Sequence, residues 1–267
     1  MSPHSNTENG SSILWCLDVD GVLTEPTTKK ISFPRTIKQL CRRAEQGDIL
    51  ALNTGRSLSW IEERVLPLFL SSLSEKDSIF VSAEKGALWQ KFSENSKFPK
   101  RSDKTLLVPR ELQEAVRKIV RENHSTFFDE TKESMISLEM RDGYDTKKFG
   151  DEMHKLERLI APFLSQYPTL SIEKSIIALD IQESRVGKSL GSLRVLEWIT
   201  SRPNKVICVG DSPADLEMVI PFLTARFPTD FLYLGTAPLS DPIRDPLLSY
   251  PSVSSRYCEG LTEFLSS

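Results

Sequence analysis

The sequence predicts an α/β protein: a mainly parallel sheet with helices on both faces, carrying a second, α+β unit inserted into it. Three observations predict this. Short, continuously apolar runs alternate with helical-period stretches toward both ends of the chain. The decisive runs pass directly into Asp, Asn or Gly. The middle of the chain instead alternates polar with apolar residues, as a sheet with one wet face does.

Taken in order, Ile13-Leu14-Trp15-Cys16-Leu17 is short and apolar throughout, which suits a buried parallel strand, and it ends at Asp18. Pro34 opens a helix through Ile37, Leu40, Cys41 and Ala44, stopped by Gly47. A second strand, Ile49 to Leu52, runs into Asn53-Thr54-Gly55-Arg56, and Ser57 can cap the helix that follows. Ile79-Phe80-Val81 is a third strand. From Phe92 the texture turns polar, and Glu94 to Lys104 reads as a linker. A helix over Glu111–Glu122, a strand over Met135–Met140, a long helix over Thr146–Ser165 and strands at Leu170–Glu173 and Ile176–Ile181 make up the inserted unit. The α/β pattern then resumes, with a helix over Lys188–Ile199 and a strand over Lys205–Val209 running into Gly210-Asp211. Pro213 begins another helix, Phe231–Leu234 is a late strand, Pro238–Ser255 a surface loop and Gly260–Leu265 a terminal helix. The expected division is a disordered tail over 1–12, a core over 13–92 and 183–267, and an inserted domain over 93–182.

Composition removes several function classes. The 267 residues hold 34 Lys+Arg against 37 Asp+Glu, a net charge of −3, so there is no basic footprint for nucleic acid. No apolar run approaches the roughly 18 residues of a membrane span. His4, His124 and His154 are too scattered for a histidine-rich zinc site or a convincing Ser-His-Asp triad. Cys16, Cys41, Cys208 and Cys258 form no CxxC pair and read as reduced thiols, mostly in the core. Met1 to Ser12 lacks the pattern of a signal peptide, and the expectation is a cytoplasmic protein, monomer or homodimer.

The acids carry the functional reading. Ligands of an open parallel sheet bind beyond the carboxyl ends of its strands. There the sequence places Asp18, Thr54 and Asp211, with Asp20 two residues past the first acid and Asp215 four past the third. Gly21 lets the chain turn sharply. Each acid alone reads as a solvated turn residue; together, without a basic partner, they would raise one another's pKa, and a divalent cation resolves that. Oxygen donors with few histidines favour Mg²⁺, which also accepts phosphate oxygens. Lys188, opening a helix after Gly187, can supply positive charge on the phosphate side.

These residues carry a resemblance. Leu17-Asp18-Val19-Asp20-Gly21-Val22-Leu23-Thr24 resembles the first motif, DxDG[TV], of the haloacid dehalogenase (HAD) superfamily. Leu52-Asn53-Thr54-Gly55-Arg56 resembles its second motif, Lys188 its third, and Gly210-Asp211-Ser212-Pro213-Ala214-Asp215 its fourth. The insertion between the second and third is similar to a C2B-type cap, and Ser82-Ala83-Glu84-Lys85-Gly86-Ala87 resembles the turn that precedes such caps in sugar phosphatases. Sucrose-phosphate, trehalose-phosphate and mannosyl-3-phosphoglycerate phosphatases share these features.

The resemblance implies a Rossmann-like core and a Mg²⁺-dependent phosphatase of a sugar phosphate or similar small metabolite. Asp18 would be the nucleophile, forming an aspartyl-phosphate, and Asp20 the general acid and base, with a raised pKa. Thr54, Gly55, Arg56 and Lys188 would hold the phosphate, with Glu84 and Lys85 facing the substrate. Asp18, Asp20 (through its backbone carbonyl), Asp211 and Asp215 would hold the metal. Ala214 stands where relatives often carry Asn. Cap charges at Lys132, Arg141, Lys147, Lys148 and Lys174 read as solvated surface or as grips on the substrate, and Trp89 and Phe92 as packing at the hinge. A phosphosugar mutase and a catalytically silent binding protein are the alternatives.

Overall fold

The structure is a computed structural model that describes residues 12–121, 125–141, 143–175 and 177–267. The expected tail up to residue 11, together with Glu122, His124 and Ile176, lies outside the described residues. The elements run β1 (Ile13–Leu17), α1 (Pro34–Glu45), β2 (Ile49–Asn53), α2 (Leu58–Arg64), α3 (Leu66–Leu70) and β3 (Ile79–Ala83). Then come β4 (Leu88–Ser93), β5 (Ser96–Lys97), β6 (Arg101–Ser102), α4 (Arg110–Val120), β7 (Thr126–Phe128), β8 (Ile136–Met140) and α5 (Thr146–Leu164). The chain closes with β9 (Leu170–Lys174), β10 (Ala178–Glu183), α6 (Lys188–Trp198), β11 (Lys205–Gly210), α7 (Val219–Thr224), β12 (Thr229–Tyr233), β13 (Leu248–Ser249) and α8 (Tyr257–Ser266).

The larger sheet has the order β13-β12-β11-β1-β2-β3-β4-β5, with β6 also paired to β4. Its pairs are parallel from β13 to β3 and antiparallel at β4, β5 and β6. The apolar runs are buried on both faces, and successive side chains serve opposite layers. Trp15 and Leu17 of β1 join Ile37 and Leu40 of α1, Ile61 of α2, Phe69 of α3 and Leu261 of α8 in one core. Leu14 and Cys16 join Val195 of α6 and Phe222 of α7 in the other. All four cysteines are buried and free, and Cys16 and Cys208 are register partners on β1 and β11. Ser57 caps α2 as expected, its Oγ accepting the Trp60 N–H at 3.2 Å.

The second sheet, β7-β8-β10-β9, is antiparallel throughout. Its buried face, with Ile136, Leu138, Leu179 and Ile181, packs on Val116 of α4 and Phe149 of α5. The polar residues between them, Ser137, Glu139, Asp180 and Gln182, fall on the opposite face by the period of the strand. Long-range pairs join that face to the first unit: Arg56 with Glu139 at 3.8 Å, and Lys85 with Asp180 at 3.5 Å.

Some elements differ from expectation. The stretch read as a linker, Glu94–Lys104, forms β5 and β6 on the edge of the larger sheet, so the division read at residue 93 falls within that antiparallel edge. Strand β7 was not expected; only three residues long, it has no periodicity to read. Pro213 begins not an α-helix but a 3-10 turn over Pro213–Met218, with α7 following. Leu248–Ser249, inside the expected surface loop, pairs with β12. Among the described residues, no helix is long and apolar enough to cross a membrane.

Candidate active site

Strand order builds the site. Because β1 lies between β11 and β2, the residues after these strands meet at one sheet edge: Asp18, Thr54 and Asp211. The Asp18 N–H continues the ladder, donating to the Val209 carbonyl at 2.9 Å. Lys188 opens α6 beneath them, and its ammonium is the hub: Nζ lies 2.6 Å from Asp18 Oδ1, 2.8 Å from Asp215 Oδ1 and 2.9 Å from the Asn53 carbonyl. Asn53 fixes the helix start in return, its Nδ2 donating to the Lys188 carbonyl at 2.7 Å. Asp215 is fully buried, and its Oδ2 accepts from the Asp211 N–H, the Ser212 N–H and the Ser212 hydroxyl at 3.1, 2.9 and 2.7 Å. Ser212 is thereby committed to orienting Asp215.

One carboxylate oxygen each from Asp18, Asp211 and Asp215 lies within 4.8 Å of the others. Gly21 makes this possible. It sits at φ +73°, and a Cβ there would fall 2.1 Å from Asp211 Oδ2. A Gly21→Ala variant is therefore expected to lose about 1–3 kcal/mol of stability from backbone strain and to bind divalent cations more weakly. Thermal unfolding with and without Mg²⁺ measures both, and a variant with wild-type behaviour in each would contradict the packing described.

The electrostatics are those of a site with too much negative charge. Burial pushes the Asp18 carboxyl up to about 8; Asp215 and Asp20 add to that rise, and Lys188 opposes it. Burial also lifts Asp211 to about 6, again with Asp215 adding and Lys188 opposing. For Lys188, burial alone would favour the neutral amine, but Asp18 and Asp215 outweigh it and hold the ammonium firmly charged. Asp215 Oδ1 is buried without a hydrogen bond of good geometry, although Lys188 Nζ is close. Three carboxylate oxygens within 4.8 Å of one another, one of them under-satisfied, fit a divalent cation of the Mg²⁺ type.

A pH dependence follows. Asp18 and Asp211 are protonated in the folded protein at pH values where the unfolded chain, at 3.8, has lost the proton. Their contribution to metal-free stability is thus fully present below 3.8 and is lost as pH rises through about 6 and about 8. The Tm in EDTA should fall across this window, and Mg²⁺ should flatten the fall. A Tm in EDTA that rises from about pH 5 to about pH 8 would contradict it.

Asp20 behaves otherwise than expected. Its carboxylate turns away from the acid cluster to Arg56, which forks it from Nε at 2.8 Å and Nη2 at 3.1 Å, while Lys29 Nζ lies 3.4 Å away. Burial favours its neutral form, but Arg56 and Lys29 outweigh burial and hold the carboxyl below its usual value. The raised pKa expected for an acid is not present in this arrangement, because the basic partner comes from the residue after Gly55, a contact invisible in the motif.

The structure brings together Asp18, Asp20, Gly55, Lys85, Lys188 and Asp215 around a cavity of about 420 Å³, closed from the inserted unit by Glu173, Lys174, Ser175 and Asp180. Thr54 is fully buried just behind it, its Oγ1 accepting the Arg56 N–H at 3.1 Å. Glu84, expected to face substrate, does not line the cavity. It has no exposed surface, and its carboxylate accepts the Glu133 N–H at 3.0 Å, the Ser134 N–H at 2.7 Å and the Ser134 hydroxyl at 2.6 Å. Burial still pushes its carboxyl up, against Lys132 and these bonds. Glu84, Lys85 and Gly86 all have positive φ, at 46°, 56° and 94°. Such strain in two residues other than glycine persists only where contacts over-determine it. Here the contacts are the Glu84 bonds and those of Lys85, whose N–H donates to the Thr54 carbonyl and whose carbonyl accepts the Gly187 N–H, both at 3.0 Å. Lys85 Nζ reaches Glu173 Oε2 at 2.5 Å and Gln182 Oε1 at 2.9 Å.

The other candidate residues divide as follows. Lys132 Nζ donates to the Gly55 carbonyl, and Lys174 lines the cavity while pairing with Glu157 at 2.9 Å. Lys147 and Lys148 are exposed on α5, the helix covering the opposite face of the sheet, and Arg141 lies in a different cleft. Phe92 is buried in the core, and Trp89 packs under Arg194, 4.3 Å away. Sequence reasoning missed Asn53, Glu173, Asp180 and Gln182. The polar alternation of Asp180 and Gln182 was a signal that they share a face.

With its mainly parallel sheet and its second, antiparallel one, the chain has the fold of solved haloacid dehalogenase-like hydrolases. Among solved structures, the chain is similar to a haloacid dehalogenase-like hydrolase from Bacteroides thetaiotaomicron at 17% identity and TM-score 0.65, over 96% of this chain and 98% of that one. It is similar to the C-terminal domain of trehalose-6-phosphate phosphatase from C. albicans at 13% identity and TM-score 0.65, over 96% and 91%. The sucrose-phosphatase of Synechocystis, solved with sucrose and phosphate, aligns at 13% identity and TM-score 0.55, over 96% and 97%. No protein-family profile and no curated protein sequence matches the chain.

Proposed function

We propose that the protein is a phosphomonoesterase acting on a sugar phosphate or a similar small phosphorylated metabolite, with Asp18 as its nucleophile. The observation that carries this reading is the buried Asp18–Lys188–Asp215 cluster in the lining of a cavity to which two units contribute. An isolated turn carboxylate needs no such surroundings.

Asp18 attacks phosphorus in line, the P–O bond to the leaving alcohol breaks, and an aspartyl-phosphate forms. Lys188, already 2.6 Å from Asp18, offsets the charge on the phosphoryl oxygens. Asp20 gives the leaving oxygen its proton and later takes one from the water that cleaves the acyl phosphate. Both tasks require Asp20 to leave its fork with Arg56, and Glu139 on the cap stands 3.8 Å from the same guanidinium as an alternative partner. Asp18, Asp211 and Asp215, with the backbone carbonyl of Asp20, would hold Mg²⁺, which when bound neutralises the acids and polarises the phosphoryl group. Thr54, Gly55 and Arg56 would complete the phosphate cradle. On the side of the second sheet, Glu173 and Asp180 offer acceptors suited to hydroxyl groups, while Lys85 is already neutralised by them.

The test is a panel of phosphorylated sugars and glycerates assayed for phosphate release with and without Mg²⁺. Release from sugar monophosphates, abolished by EDTA, is expected. An isomer accumulating in place of phosphate would make the protein a mutase, and no turnover on any member would leave a silent scaffold.

A further inference from the structure

A second cleft, of about 330 Å³, lies on the core between β4, the chain after β5 and the C-terminal end of α6. None of its lining residues belongs to the catalytic cavity, and α6 separates the two: Lys188 is its first residue, Trp198 its last. Its volume falls in the range of roughly 300–1,000 Å³ usual for small-molecule sites.

Three aromatic rings form its walls. Trp198 is held flat against Phe80, with centroids 4.9 Å apart and planes at 16°, so one face of the indole is fixed by the core. Trp89 is backed by Arg194, and Phe98 is 40% exposed at the rim. The charges are unequal. Arg194 is committed to Asp103 at 3.0 Å and Glu197 at 3.2 Å. Lys91 and Arg101 have no carboxylate partner among the described residues; the Lys91 ammonium instead stands 4.6 Å over Phe98 and 5.8 Å from the centroid of Trp198.

We propose that this cleft binds a nucleotide, with the base against Trp198 and Trp89 and the phosphate against Lys91 and Arg101. Each part of the ligand answers one feature. Flat rings stack on indoles whatever their substituents, and the two cations without a carboxylate partner take a phosphate rather than a neutral sugar. An uncharged carbohydrate would leave the cations unused.

The experiment titrates AMP, GMP, CMP and UMP into the metal-free full-length protein in EDTA, reading tryptophan fluorescence and calorimetric heat. Saturable binding of at least one nucleotide is expected. The Lys91→Gln and Arg101→Gln variants should each weaken it by about tenfold, and Trp198→Leu should remove most of the fluorescence change. Lys91 and Arg101 are partly or fully exposed, so these variants are expected to keep the fold. Asp18→Asn should bind as the wild type does. No saturable binding by any of the four would overturn the proposal. So would binding that Asp18→Asn or excess inorganic phosphate abolishes while Lys91→Gln leaves it intact, since that places the nucleotide in the catalytic cavity. The outcome is independent of whether the protein proves to be a phosphatase.

Discussion

Asp18→Asn should retain the fold and lose turnover on the order of 10⁴-fold or more, the scale seen when a covalent nucleophile is removed. The amide fills nearly the same space but cannot form the acyl phosphate. The variant should also be more stable than the wild type without metal. Asp18 is buried beside two other acids, and its carboxyl is already pushed up to about 8, so a neutral side chain relieves the cluster. Steady-state phosphate release and thermal unfolding in EDTA read the two effects separately. Activity within about tenfold of wild type would end the assignment of Asp18 as nucleophile. A trapped, hydroxylamine-sensitive phosphoprotein in the wild type, absent from the variant, would support it directly.

Lys188→Met carries the second large effect. Its ammonium is the only basic group within reach of both Asp18 and Asp215 among the described residues, and its side chain is 12% exposed. Removing one partner of a buried ionic cluster costs about 3–5 kcal/mol, because the acids are left uncompensated. Here the acids have an escape, which is to take up protons. The loss in metal-free protein should therefore be near the upper figure at about pH 8 and clearly smaller near pH 5. Mg²⁺ should restore part of the stability without restoring catalysis, since the charge Lys188 would place on the phosphoryl oxygens is still missing. Urea unfolding at the two pH values decides it: equal losses at both would mean the lysine serves packing alone.

The parts of this site that the sequence exposes are those written in short segments. Apolar runs at 13–17, 49–52 and 205–209 read as buried strands because β-strands covered on both faces admit little else, and the acids after them follow from the chain direction. Resemblance to known motifs added their order. Contacts between distant segments were illegible. Arg56 meets Asp20 across 36 residues, and Glu84 meets Ser134 across 50. A motif that names each carboxylate cannot say which cation lies beside it, and that neighbour reversed the expected pKa shift of Asp20. Short elements failed for a related reason: β5, β6 and β7 span two or three residues, fewer than any periodicity needs.

Two of the contacts that join the second sheet's unit to the core differ in kind. At Glu84 a carboxylate without exposed surface is gripped by two main-chain N–H groups and a hydroxyl, and stripping it would orphan all of them at about 1–3 kcal/mol each. At the next residue, Lys85, the attachment is a lysine tip on a four-carbon stem, free to swing out and exchange its partners for water. Of these two contacts, the lysine's is the one that separates at the smaller cost, because water can replace its partners.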